Sequence, residues 1–161
     1  MNGFFKEKCR KLTIEIIKKS FPELKDKKIL VFTTPFRKAY SGMAFWCFWP
    51  VPRMIFINKE RSNESLKYLQ GLLVHEVCHL ALVEKRSFIK SAFRLLSYWI
   101  IPKLRRAEED EVSKLAIQKG YSREIYFLEK KFEKKKISSE IQKYYVTSEE
   151  IKNYAKSIRK W

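Results

Sequence analysis

The sequence predicts an α+β protein in which a small sheet of about three strands lies beside several helices. Between residues 28 and 58, short β-branched or aromatic segments are separated by prolines, whereas helical spacing of apolar residues dominates from about residue 64 onward. Hydrophobic residues make up 45% of the 161 positions, which is enough for a real core. Only four glycines and five prolines occur, so we expect one domain over residues 1–161 without a long linker.

The N-terminal third of the chain predicts one helix followed by the strands. Apolar residues recur at helical spacing from Phe4 to Phe21, and Pro22 ends this helix. Three segments rich in β-branched or aromatic residues then predict the strands. They are residues 28–33, 41–49 and 53–58.

The rest of the chain predicts helices. Ser62 or Asn63 is the expected N-cap of a central helix that runs from about Glu64 to Val83. Further helical segments follow, bounded by residues that suit helix ends. They are residues 87–101, residues 103–119 with Gly120 as the C-cap, and one or two helices in residues 121–161, the last of which opens at Thr147.

The central helix contains the sequence His75-Glu76-Val77-Cys78-His79. Two histidines four residues apart lie on the same face of a helix, so both imidazoles can bind one metal ion. Glu76 lies beside that ion and is the candidate catalytic acid and base. The chain has no other histidine, and the apolar flanks predict a buried helix in which these polar groups would be costly without a partner. The motif therefore predicts a zinc hydrolase, in which zinc acidifies a bound water.

Zinc requires a third protein ligand, which here must be Asp, Glu or Cys. Cys78 points to a different side of the helix and is interpreted as a small buried hydrophobic residue. An acidic cluster on the helix 103–119 offers the alternatives. With a turn of about 100° per residue, Glu108 points near the middle of the apolar face and Glu109 falls at its edge. Periodicity alone leaves these two glutamates as rival ligands.

The histidine motif followed by a glutamate on a later helix resembles the gluzincin metallopeptidases. The small size and the order of a sheet followed by helices are similar to the minigluzincins, compact relatives of the catalytic domains of integral-membrane peptidases. The resemblance covers about residues 28–120. It implies a zincin-like fold, one zinc ion per chain bound by His75, His79 and a glutamate, and Glu76 as the catalytic residue.

The family pattern around the glutamate ligand distinguishes the two candidates. In that family a small residue follows the ligand at the third position, usually Asp at the fourth, and Ala at the seventh. Counted from Glu109, these positions are Val112, Ser113 and Ala116. The match counted from Glu108 is worse, so the resemblance implies Glu109 as the third ligand. Ser113 departs from the pattern, because the family's Asp accepts a hydrogen bond from a ligand histidine. We therefore expect weaker metal binding or a lower rate, unless Asp110 or Glu111 takes the role of the family's Asp.

The predicted function is a zinc metallopeptidase that hydrolyses peptides or unfolded proteins. Two alternatives stay open, a protease that acts on nucleic-acid-bound protein and a non-catalytic zinc-binding module. The net charge of +17 is spread along the chain, which favours a solvated surface over a membrane surface and makes nucleic acid the least favoured partner. Three cysteines without motif spacing and a charged N-terminus predict a reducing, cytoplasmic location.

Three parts of the chain have two interpretations each. Residues 88–101 fit a hydrophobic helix packed on the domain or in a homodimer, or else an interfacial amphipathic segment. Residues 121–161 either complete the core or, as the resemblance to minigluzincins implies, cover the cleft and keep the enzyme latent. Phe45, Trp46 and Phe48 either pack in the core or line a substrate cleft at the sheet edge.

Overall fold

The computed structural model describes most of the chain and confirms the predicted α+β class. The described residues are 2–36, 41–45, 52–86, 91, 100–134 and 144–161. Within them lie a three-stranded sheet and five bounded α-helices. The elements are α1 (Asn2–Ser20), β1 (Ile29–Thr34), β2 (Gly42–Phe45), β3 (Arg53–Asn58), α2 (Leu66–Lys85), α3 (Pro102–Gln118), α4 (Ser122–Lys134) and α5 (Ser148–Ser157).

The sheet has the strand order β1-β3-β2, so β2 is an edge strand. β1 runs parallel to β3 and β2 runs antiparallel to it, with Val31 and Ala44 both opposite Ile55. The central strand is the most buried of the three, because Ile55 and Ile57 are fully buried. The three predicted strands are confirmed. In the aromatic segment the described strand is Gly42–Phe45, and residues 46–49 lie outside the described part of the chain.

The described residues form two compact units, of which the first is Met1–Glu84. In this unit α1 packs against β1, and α2 is buried along most of its length. At the end of α2, Glu84 accepts a hydrogen bond from Arg53 of β3 at 2.6 Å and pairs with Lys27 at 3.1 Å. The helix that contains the histidine motif is thereby joined to the central strand.

The start of α2 lies later than the sequence predicts. The helix begins at Leu66, and the hydroxyl of Ser65 accepts a hydrogen bond from the backbone N–H of Tyr68 at 3.3 Å. Ser62 and Asn63 are therefore not the N-cap, because a short 3-10 helix and its closing turn occupy the residues just before Ser65. Several polar residues in this segment can cap a helix, and the path of the chain after β3 selects among them.

The second unit, Lys85–Trp161, is built from α3, α4 and α5, which pack against one another. The end of α3 is confirmed at Gly120, which has a φ of 93°, and the N–H groups of Gly120 and Tyr121 donate back into the last turn. The start of α5 is confirmed at Thr147, which forms a capping box with Glu150. Local sequence signals thus located both helix ends.

Most of the predicted apolar insertion, residues 88–101, lies outside the described part of the chain. None of the helices in the described part combines the length and the apolar character needed to cross a membrane.

Candidate metal centre

The middle of α2 presents both histidines of the chain on one face. The Nε2 atoms of His75 and His79 are 3.3 Å apart, and the two rings meet edge to face with their centroids 5.0 Å apart. Two nitrogen ligands at about 2.1 Å from a tetrahedral zinc ion are separated by about 3.4 Å. The spacing of the two imidazole nitrogens therefore fits a shared metal ion.

Glu109 of α3 belongs to the same group. His75, His79 and Glu109 each offer one ligand atom, and these atoms all lie within 4.8 Å of one another. His75 and Glu109 are buried, and His79 is partly exposed. Two imidazoles and one carboxylate are a donor set that suits zinc and other divalent transition metals. These three residues can hold a metal ion.

Glu108, the rival of Glu109, is bound by an arginine. Nη1 of Arg86 donates to both carboxylate oxygens of Glu108 at 2.8 Å, and Nη2 donates to Glu111 at 2.5 Å. Glu108 is only 5% exposed, so the guanidinium offsets the cost of burying its charge. The sequence does not predict this role of Arg86, because the two partners lie 22 positions apart and share no motif.

Ser113 stands where the gluzincins that the sequence resembles usually have an Asp. The two acidic residues that were candidates to take the role of that Asp, Asp110 and Glu111, both have cationic partners. Nζ of Lys114 donates to Asp110 at 2.7 Å, and Arg86 binds Glu111. Ser113 itself is buried. Both carboxylates are thus engaged with cations, and Ser113 contributes only a neutral hydroxyl at that position.

Two further residues that the sequence does not predict, Arg105 and Tyr145, pair with each other in the same compact unit as Glu109. Arg105 lies one helical turn before Glu109 on α3 and donates a hydrogen bond to the hydroxyl of Tyr145 at 3.3 Å. Its guanidinium also lies over the rings of Tyr144 and Tyr145, at 4.8 and 5.7 Å from their centroids. Burial and, after it, the negative charge of Glu109 raise the pKa of Tyr145, so the phenol is a hydrogen-bond donor at neutral pH.

Glu76 lies against the first residue of β2. Its side chain is buried, with an exposed fraction of 4%. A Cβ atom at Gly42 would lie 2.7 Å from Oε1 of Glu76 and 3.1 Å from Cδ1 of Leu72. In addition, the hydroxyl of Tyr68 on α2 donates to the hydroxyl of Ser41, just before β2, at 2.9 Å. The edge strand and the motif helix therefore meet at the candidate catalytic carboxylate.

The cysteines in the described residues are buried. Cys78 has no exposed surface. This agrees with its interpretation as a small buried hydrophobic residue. Burial raises the pKa of the Cys9 thiol to about 11, so this thiol is protonated at neutral pH and a poor metal ligand.

Comparison of the chain with protein-family models, curated proteins and solved structures gave no match.

Proposed function

We propose that the chain is a zinc-dependent metallopeptidase that hydrolyses peptide bonds in peptides or unfolded proteins. The observation that carries the proposal is the group formed by His75, His79 and Glu109, with Glu76 on the same helix as both histidines. Hydrolytic zinc sites use three such ligands and leave one position open. The three residues are the proposed ligands of one zinc ion per chain.

Each side chain has a role that its chemistry allows. His75, His79 and Glu109 would hold the zinc ion, which would supply a more acidic bound water and an electrophile for the scissile carbonyl. Glu76 takes a proton from the attacking water and delivers it to the leaving amine. Because Glu76 is buried, bulk water has little access to its carboxylate, and the proton passes to the leaving group rather than to solvent.

The edge strand β2 is the proposed binding element for the substrate. β2 pairs with β3 on one side, its first residue lies against Glu76, and the side chains of Met43 and Phe45 are each 37% exposed. Within the described residues β2 has no strand on its other edge. An extended peptide added to that edge would pair main chain to main chain, which would place its peptide bonds beside Glu76. Main-chain pairing requires an extended substrate, so this mode of binding suits unfolded proteins.

A zincin-like arrangement is part of this proposal. Three features support it: an antiparallel edge strand on a small sheet, the histidine motif on a helix against that strand, and a glutamate from a later helix in the group with both histidines.

The test compares the wild-type chain with Glu76→Gln. Both proteins are purified without chelator, their metal content is measured, and cleavage of a fluorescently labelled unfolded protein is followed. We expect one zinc per chain in both proteins and a rate about 10²–10⁴ lower in the variant, because the amide cannot accept a proton from water. A strong chelator should abolish wild-type cleavage, and added zinc should restore it.

Glu60→Gln, at an exposed glutamate ahead of α2, is the matched control and should cleave at the wild-type rate. Wild-type cleavage by Glu76→Gln would remove this residue from the mechanism. A wild-type protein that holds zinc but cleaves nothing would favour the non-catalytic zinc module. Cleavage that requires added DNA would favour the protease of nucleic-acid-bound protein.

A further inference from the structure

We infer that Gly42 is a positioning residue for Glu76: the missing side chain at the start of β2 leaves the space that the Glu76 carboxylate occupies. This role rests on the proposed function of Glu76, and it adds a residue outside the metal ligands that determines where the carboxylate sits.

The distances at Gly42 show how little space is left. A Cβ atom there would lie 2.7 Å from Oε1 and 3.2 Å from Cδ of Glu76, and 3.1 Å from Cδ1 of Leu72. Real Cβ atoms do not come within 3.0 Å of such an atom, so any other side chain at this position must displace something.

The backbone conformation of Gly42 does not itself require glycine. Among the glycines of the described residues, only Gly120 has a positive φ, of 93°. Gly120 is therefore explained by its left-handed backbone, whereas Gly42 is explained by the approach of Glu76.

The strand is held in place, so the carboxylate is the group that would move. Gly42 pairs with Ile57 of β3, and the carbonyl of Ser41 accepts a hydrogen bond from the N–H of Asn58 at 2.9 Å. The neighbouring contact between the hydroxyls of Tyr68 and Ser41 joins this end of the strand to α2. The carboxylate of Glu76 ends a side chain with rotatable bonds, so we expect an added methyl group at Gly42 to turn it away from the strand.

Displacement of a catalytic group by about 1 Å can lower a rate by about 100-fold. Gly42→Ala should therefore lower kcat by about 100-fold while KM and zinc content stay close to wild type, since the three atoms nearest to the added Cβ belong to Glu76 and Leu72 and not to a histidine ligand. A role limited to packing would not produce this selective loss of kcat.

The experiment uses the full chain and a double-mutant cycle. Gly42→Ala is introduced into the wild type and into Glu76→Ala, and Gly3→Ala serves as the control, because no atom lies within 4 Å of a Cβ at Gly3. In the wild-type background the forced rotation of Glu76 should lower the thermal midpoint by about 2–4 °C. In the Glu76→Ala background the carboxylate is gone and the close contact with Cδ1 of Leu72 at 3.1 Å remains, so the same substitution should lower the midpoint clearly less. Gly3→Ala should change neither kcat nor zinc content.

A Gly42→Ala variant with wild-type kcat would overturn the inference, and so would loss of zinc from this variant or an equal loss of thermal stability in both backgrounds. If the wild-type protein cleaves nothing, the proposed function fails. The thermal midpoints then still report whether Gly42 and Glu76 share one space, because they do not depend on activity.

Discussion

Two adjacent glutamates on α3 have different partners, and Arg86 accounts for the difference. The guanidinium of Arg86 binds Glu108 through two hydrogen bonds, whereas Glu109 is grouped with both histidines. A carboxylate paired with a guanidinium is a poor metal ligand, because the metal would have to displace a buried ion pair.

We predict that Glu109→Ala weakens zinc binding by more than about 100-fold, which exceeds the effect of removing an outer partner of a metal ligand. Glu108→Ala should retain zinc but destabilise the fold by about 1–3 kcal/mol, because Arg86 loses its buried partner. Zinc affinity is measured by competition with a chromophoric chelator, and stability by urea unfolding of the metal-free proteins.

Asp110→Ala is the control on the same helix, because Asp110 is less buried and pairs with Lys114 at the surface. Asp110→Ala should change neither the zinc affinity nor the free energy of unfolding by much. The opposite result, in which Glu108→Ala removes zinc and Glu109→Ala does not, would show that the two glutamates have been assigned the wrong roles.

At the scale of the elements, the position of the site depends on how α2 is attached to the sheet. Glu84, near the C-terminal end of α2, is bound by Arg53 of β3 and by Lys27 just before β1. Burial raises the pKa of Glu84, but the hydrogen bonds from Arg53 and Lys27 lower it more, so its net pKa lies below the ordinary value. The folded state therefore favours the charged carboxylate.

The lowered pKa of Glu84 makes part of the free energy of unfolding dependent on pH. Because the folded-state pKa is lowered, the contribution of Glu84 is fully present above the ordinary glutamate pKa of about 4.3 and is lost as the pH falls through the folded-state value. Glu84→Gln should therefore reduce the free energy of unfolding by up to about 1 kcal/mol between pH 5 and 8, and the difference should shrink below about pH 4. Urea unfolding of both proteins over this pH range measures the effect.

Glu7→Gln is the matched control, because Glu7 pairs with Arg10 on the exposed side of α1, where ion pairs contribute little. A difference between wild type and Glu84→Gln that does not change with pH would contradict the assignment of the effect to this carboxylate.

At the scale of the whole molecule, the described helices after Gly120, α4 and α5, pack on the helix that contains Glu109. Arg106 of α3 binds Glu150 of α5 through two hydrogen bonds of 2.8 Å, and Gln118 donates to the hydroxyl of Tyr154 at 2.9 Å. Ile151, in the middle of α5, is almost fully buried. These contacts favour the interpretation in which the C-terminal helices complete the core, and latency stays a prediction.

We predict that truncation after Lys136, which removes α5, destabilises the second unit and lowers zinc affinity, because the truncation exposes apolar surface on α3 and α4. Solubility, zinc content and cleavage of an unfolded protein are compared with the full chain. Full-length Ile151→Ala tests the same packing without shortening the chain and should cost about 2–5 kcal/mol. A soluble, zinc-loaded truncation with higher activity than the full chain would instead support an inhibitory C-terminal region.

Local interactions explain what the sequence by itself determined. The spacing of His75 and His79, the glycine at the end of α3 and the cap at Thr147 each depend on residues within about one or two turns of a helix, and such patterns can be recognised along the chain. The strands were predictable for the same reason, since β-branched segments bounded by turn residues favour them. The α+β class follows from these elements.

Only the tertiary structure decided which of several similar groups has which partner. The sequence places Glu108 and Glu109 on neighbouring parts of one helix face, and Arg86 distinguishes them from 22 positions away. Likewise, nothing in the local sequence indicates that Gly42 lies against Glu76, because the contact joins a strand to a helix. The periodicity of apolar residues shows which side of a helix or strand is buried. The partner of a buried charge depends instead on which distant segments pack against it, because leaving a buried charge unpaired costs too much free energy.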